Sequence, residues 1–495
     1  MIFVITTTLF VNTYNVIKEE ILMNKKLYIG ALSAFGLALL TGCGGNQQQA
    51  GTPTPTPAPG ATPAPGDDTA GDQITLNILG PGLFSEVTRT GALDLVTGVQ
   101  RPGYEEVIAR WNELHPNVEL NINALPWDNW QASLQTAALA GDVDVLVHAA
   151  SIPDIVEPLN RFVDASGVSD SIAQLALRRL TTEGDFQELT PLGMSINVNP
   201  VVVVLDTYIL ADFGVPIPTV NWTLADMLAI AEATTGINPR TGVQNYGISM
   251  LPNNNVQQNF IWAARAMDAT SIEFGPSLLE SDINFDNSAV QEVLNFINSL
   301  HNFSSPDYIE GFDLLETVTE NSNLAMYLNQ SAFVEYNRLV AAGLAERFMF
   351  LPLPDIQGGV NSGRTSSHMG DWNMTIARTS PNQDWAWEFI YFMVTDPVVQ
   401  DWLVRVHQIP NSLVGLESVV TNMSPQYFAA IEHILINQAE NFSVQTSEWY
   451  DSTTIPVIPS AVQLALNEMF RGTMDASQAS AFIQERVDEF LDAMR

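Results

Sequence analysis

From residue 74 onward, apolar and polar residues fall into short periodic runs. Ile74, Leu76 and Ile78 alternate with Thr75 and Asn77, the period of a half-buried strand, and Gly80-Pro81-Gly82 ends it. Tyr104, Val107, Ile108 and Trp111 recur at i, i+3, i+4 and i+7, which predicts an amphipathic helix closing near Pro116. Val118, Leu120 and Ile122 alternate again as a second strand. A helix is predicted over residues 127–140, stopped by Gly141, and a third strand over 143–147. Strand–helix–strand–helix–strand at this spacing implies a parallel sheet with right-handed crossovers. Residues 201–205 are continuously apolar, as expected of a parallel strand covered on both faces. Helices are predicted over 224–235, 290–301 and 384–395, and a last one carries Ile483, Val487, Phe490 and Met494 at i, i+4, i+7 and i+11. The pattern is that of an α/β protein without an internal repeat.

The first 73 residues follow a different pattern. Asn24-Lys25-Lys26 forms a cationic head, and residues 27–40 form an apolar run broken by Ser33. That layout is a secretory signal peptide, too short to span a bilayer comfortably. It ends in Leu40-Thr41-Gly42-Cys43, which resembles the bacterial lipobox, where the cysteine takes a diacylglyceryl group and becomes the new N-terminus. Cys43 is the only cysteine of the 495 residues, so disulfides and cysteine-ligated zinc are excluded. Residues 1–22 fit no part of a signal peptide. Met23 directly precedes the cationic head, and Lys18-Glu19-Glu20 can be encoded by a purine-rich ribosome-binding sequence, so translation is expected to begin at Met23. Residues 43–73 hold the lipidated cysteine and a Pro-, Thr- and Gly-rich stretch that reads as an extended stalk.

Charge narrows the function. The formal net charge is −36, and all three lysines lie upstream of Cys43. Schiff-base chemistry, pyridoxal phosphate and a Walker-type phosphate loop therefore have no lysine to use. Nucleic acid is excluded as a partner, since it needs a basic footprint. No cofactor or metal is called for.

Several short segments follow one another in a telling order. They are Trp111-Asn-Glu-Leu-His-Pro-Asn-Val-Glu-Leu, Leu125-Pro-Trp-Asp-Asn-Trp, Ala140-Gly-Asp-Val-Asp-Val, Leu205-Asp-Thr-Tyr-Ile-Leu-Ala-Asp-Phe-Gly-Val-Pro, Asn221-Trp-Thr-Leu-Ala-Asp-Met, Leu324-Ala-Met-Tyr-Leu, Leu351-Pro-Leu-Pro and Ile376-Ala-Arg-Thr-Ser-Pro-Asn. In that order, over nearly all of residues 74–495, they resemble the extracellular solute-binding proteins of ABC importers, family 1, which includes sugar binders such as maltose-binding protein. Three departures stand out: Asp206 replaces the Asn of "Y-N-K-D", Val143 replaces the proline of "P-D-V", and the tryptophan that often follows "A-M-x-x-G" is missing around 329–333.

The resemblance implies a two-lobe, periplasmic-binding-protein-like fold of type II, with ligand in the interlobe cleft and hinge strands crossing between lobes. Lobe 1 would comprise 74–196 and 373–410, and lobe 2 would comprise 197–372 and 411–495, with crossings near 196–200, 370–373 and 408–412. It also implies a monomeric, lipid-anchored binder on the outer face of the cytoplasmic membrane. Lobe closure would select the liganded state for docking on the transporter's permease subunits. The ligand would be a small molecule, most naturally a sugar. The alternatives are a sensor or chemoreceptor partner with the same fold, or a lipid-anchored glycoside hydrolase.

Sugars need flat aromatic faces and nearby carboxylates or amides. The first candidates are Asp371 and Trp372, a Gly-flanked pair beside the second crossing that belongs to neither core. Phe84, His148 and Ser151 follow strand carboxyl ends, where ligands sit in open α/β sheets. Tyr246 and Trp262 fall in lobe 2, with core packing as their alternative, and a structural histidine is the alternative for His148. Trp449-Tyr450-Asp451 lies in a polar stretch before Pro456. Trp127 and Trp130 open a helix and are expected to pack.

Overall fold

The computed structural model describes residues 73–495, except 94–97, 99, 171–176, 183–184, 252–255, 270, 274–276, 306–321, 359–361, 368, 437–454 and 456. They fall within one compact unit, Gly60–Arg495. Lipidation at Cys43 and the aromatics Trp449 and Tyr450 lie outside the described residues.

Lobe 1 grows from the three predicted strands. Ile74–Gly80 pairs in parallel with Val118–Ala124 on one side and Val145–Val147 on the other. The sheet then turns antiparallel: Asn373–Ala377 pairs with Val145–Val147, followed by Asp185–Ser195 and Leu177–Thr182. The helix Glu105–Leu114 covers one face, and fully buried Trp111 joins it to the next strand by donating its indole N–H to the Val118 carbonyl at 2.9 Å. The second helix runs Trp130–Ala140, starting three residues later than predicted. Asn129 adopts a left-handed conformation (φ 56°), which turns the chain before the helix can begin. Gly141 ends the helix at φ 76°, its N–H reaching the Ala137 and Ala138 carbonyls.

Lobe 2 has the strand order Gly236–Ile237, Gln244–Ser249, Leu324–Asn329, Val202–Asp206, Phe348–Pro352. All five residues of Val202–Asp206 are buried. Val203 and Leu205 face one core cluster, and Val202 and Val204 face the other. Burial on both faces agrees with the apolar run, but the expected direction does not. The strand is antiparallel to both neighbours, with Val203 opposite Leu328 and Leu351. A continuous apolar run records two covered faces and carries no information about strand direction.

Asp206, which replaces the family's Asn, does two jobs at the end of this strand. It caps the helix Thr207–Phe213 by accepting from the N–H groups of Tyr208 (3.1 Å) and Ile209 (3.3 Å). It also accepts from Arg347 at 2.6–3.0 Å, both side chains being buried. Thr223 and Asp226 form a capping box that starts Leu224–Ala233, and Trp222 donates to the Pro352 carbonyl at 2.8 Å. The last helix, Ala476–Met494, buries Ile483 and Val487 as predicted, half-buries Phe490 and leaves Met494 exposed.

His301 ends the helix Ser288–His301 and stacks on Phe470 of Val457–Phe470, ring centroids 4.0 Å apart and 17° from parallel. Burial lowers its pKa from 6.5 to about 4. Between those values the unfolded chain holds a proton that the folded one does not. Stability is therefore complete above pH 6.5 and falls as pH drops towards 4, by up to about 3 kcal/mol for this group. Urea titrations across this range should show a shallower pH dependence for His301→Phe than for the parent, and parallel curves would contradict the assignment.

Candidate functional site

The two sheets are joined where three short strands pair: Asn197–Pro200 lies between Met369–Gly370 and Ile409–Pro410. Buried side-chain amides bind these crossings to one another. Asn197, fully buried, accepts from the backbone N–H of Trp372 (2.6 Å) and donates to Gln408 (2.8 Å). Asn411, also fully buried, donates to the carbonyls of Asn197 (2.7 Å) and Ser195 (3.3 Å). Each crossing contributes at least one partner, so one network holds the hinge together.

On the lobe 1 side, the carboxyl ends of Ile74–Gly80, Val118–Ala124 and Val145–Val147 bring a set of rings and charges to one edge. Gly82 has φ 91°, and a Cβ there would lie 2.5 Å from Nε1 of Trp372 and 3.3 Å from Nε2 of His148. Only glycine allows the chain to pass this close to the indole. His148 has a left-handed backbone (φ 67°), and its N–H donates to the Asn373 carbonyl at 2.8 Å. Its ring is 5.2 Å from Trp127 and 6.0 Å from Trp130, and those two indoles are 6.3 Å apart and nearly perpendicular.

Glu86 and Arg101 flank this set. Protein around the Glu86 carboxyl raises its pKa, outweighing a hydrogen bond from Trp127 and the charge of Arg101. Glu86 is nonetheless exposed.

Arg101 lies 3.4 Å from Nδ1 of His407, and the His407 ring is 6.3 Å from Phe333 in the helix Ala332–Ala341. That helix follows Leu324–Asn329, whose last residue pairs with Val202 directly after the first crossing. Asn329 accepts from the Ser331 N–H at 2.7 Å and donates to Glu335 at 3.4 Å, while Tyr327 and Arg338 also bond Glu335. Gln330 bonds Gln258. Lobe 2 thus presents a run of amides where the family often has a tryptophan.

The structure brings Trp372, Asp371 and His148 to this region. Asp371 is half-buried and accepts from Ser195. Trp372 differs from expectation, for it is 5% exposed and belongs to the lobe 1 core, packed over Gly82. Phe84 is not at this surface. The turn Leu83–Glu86 swings it inward against Tyr104, centroids 5.2 Å apart, and points Glu86 outward instead. Trp262 is 1% exposed in the lobe 2 core, edge-on to Phe296 at 6.1 Å. Tyr246 lies half-buried against the other lobe 2 cluster. The backbone of Ser151 follows His148 in a short 3-10 turn.

Trp127 was expected to pack, yet it is 48% exposed, because the helix starts only after Asn129. Glu86, Arg101 and His407 gave no sequence signal, since isolated charges in loops have no periodicity. The segment Leu125-Pro-Trp-Asp-Asn-Trp was the one available sign, with two tryptophans in a polar stretch at a strand's carboxyl end.

A family model described as bacterial extracellular solute-binding protein matches residues 97–400, more than half of the chain. The protein belongs to that family. No curated protein sequence matches it. Among solved structures, the sugar-binding protein MalE of Xanthomonas citri superposes with a TM-score of 0.63 at 17% identity, over 85% of this chain and 98% of that one. A sugar transporter protein of Rhizobium etli in an open conformation gives 0.62 at 15%, over 84% and 99%. An ABC substrate-binding protein of Listeria monocytogenes in complex with cycloalternan gives 0.60 at 13%, over 86% and 99%. At such identities these likenesses establish the two-lobe fold alone.

In this solute-binding protein the hinge tryptophan is a core residue as well as a neighbour of the candidate site. Trp372→Ala should lower the unfolding free energy by about 3–5 kcal/mol, the cost of truncating a buried aromatic. A loss below about 1 kcal/mol in urea titration would show that the indole is not packed.

Proposed function

We propose that this solute-binding protein captures a carbohydrate between its lobes and delivers it to an ABC importer. The observation that carries the ligand class is the edge beside the hinge, where Trp127, Trp130 and His148 lie within 6.3 Å of one another and Glu86 and Asp371 supply carboxylates. Aromatic faces suit the C–H surfaces of a sugar ring, and carboxylates and amides suit its hydroxyls. The amides of Asn329 and Gln330 would meet the ligand from lobe 2 on closure. Solved relatives bound to α-D-tagatose and to maltose support the same class. A sugar phosphate is disfavoured, since Arg101 at this edge already faces Glu86 and His407.

The protein would work outside the cytoplasmic membrane, held by lipid on Cys43. Leu40-Thr41-Gly42-Cys43 supports this by following an apolar run with a cationic head. Among the described residues no helix is long and apolar enough to cross a membrane. Two or more acyl chains anchor stably, whereas one does so only marginally.

Two measurements test this reading. In a thermal-shift screen of neutral sugars, polyamines and sugar phosphates, neutral sugars should raise the melting temperature. Stabilisation by polyamines alone would overturn the carbohydrate assignment. Cys43→Ala should leave the protein unprocessed or released from the membrane fraction. A mutant that fractionates and migrates like the parent would refute the anchor.

A further inference from the structure

Six of the nine tryptophans among the described residues (Trp111, Trp222, Trp262, Trp372, Trp387 and Trp402) are buried, whereas Trp127 keeps 48% of its surface open. An indole is the largest apolar side chain, and leaving half of one in water forfeits much of its burial energy. Nor is this ring loosely held. The left-handed turn at Asn129 sets its direction, Trp130 meets it nearly edge-on (6.3 Å, 88°), and His148 lies against it at 5.2 Å. A flat ring fixed in this way and still open loses little further entropy when something stacks on it.

Its place in the row of rings matters equally. Trp372 lies at the hinge against Gly82, His148 comes next at the same glycine, and Trp127 stands beyond His148. The row therefore steps outward from the crossing strands, with its inner end buried and its outer end exposed. A single sugar ring seated by the hinge would use the inner part of this row and leave Trp127 in water.

We propose that Trp127 is an outer stacking platform that makes the site select saccharides of two or more rings over single rings. The inference rests on the carbohydrate reading above and extends it to the size of the ligand. Trp130 and His148 are then the positioning residues that hold the indole's plane. The inner ring is ordered between Gly82, His148 and the lobe 2 amides, while the second ring lies on Trp127 at the mouth of the cleft.

The test uses the full chain and three saccharide ladders, glucose to maltotetraose, glucose to cellotetraose and xylose to xylotetraose, with dissociation constants from isothermal titration. In the series that binds, the trisaccharide should bind at least about tenfold more tightly than the single ring, as expected of one added aromatic anchor. Trp127→Ala should shrink that ratio to about twofold or less, and Trp127→Phe should keep part of it. Leu139→Ala, on the helix Trp130–Ala140 that follows, 77% exposed and outside the row of rings, should leave the ratio unchanged. Equal affinity for one ring and three in the parent would overturn the inference and leave the carbohydrate reading standing. So would a ratio that survives in Trp127→Ala. Binding of no saccharide in any ladder would defeat the carbohydrate reading itself, and the inference with it.

Discussion

The structure depends on a handful of buried amides at the place where its two sheets meet. A polar side chain sealed from water costs free energy unless it is hydrogen-bonded, so Asn197 and Asn411, both fully buried, are committed to the partners they have. Those partners lie on different crossings: Trp372 on one, Gln408 on another. Sequence separations of 175 and 211 residues are thereby closed within a few ångströms. Hydrophobic contact could hold the lobes together without fixing their register. Directional bonds fix it, and so decide which residues of each lobe face each other across the cleft.

Much of the fold could be read from the chain. Alternation located Ile74–Gly80 and Val118–Ala124, and helical spacing located Glu105–Leu114 and Ala476–Met494, because one covered face leaves a period in the sequence. The direction of Val202–Asp206 could not be read, since a strand buried on both faces has no polar side to mark its surroundings. The same limit applied to the tryptophans. In sequence Trp262 reads as a ligand candidate and Trp127 as a packing residue, yet the structure buries the first and exposes the second. What separates them is the solid helix Val256–Ala266 around one and the Asn129 turn beside the other.

The candidate site was legible in outline. The rule that ligands gather at strand carboxyl ends led to His148 and to the segment after Gly82. It could not tell Phe84 from Glu86, two residues apart on one turn and pointing to opposite sides. Charged residues that meet only through tertiary structure, such as Arg101 and His407, 306 positions apart, leave no local trace.

The strand Asn373–Ala377 sits inside the lobe 1 sheet, between Val145–Val147 and Asp185–Ser195. Nearly the whole of the lobe 2 sheet is encoded between it and its neighbours. During synthesis, the first lobe must therefore wait with an open gap in its sheet until the ribosome has passed residue 377. Lobe 2 in turn waits for Val457–Phe470 and Ala476–Met494 to cover its core. Neither lobe can be cut from the gene as a contiguous piece and be expected to fold. Long-range pairing of this kind is slow, and the unpaired strand edges it exposes favour association with the wrong partner. A chain delivered across a membrane in an unfolded state would meet that interval on the far side, where the dependence of each lobe on distant sequence sets how long it remains vulnerable.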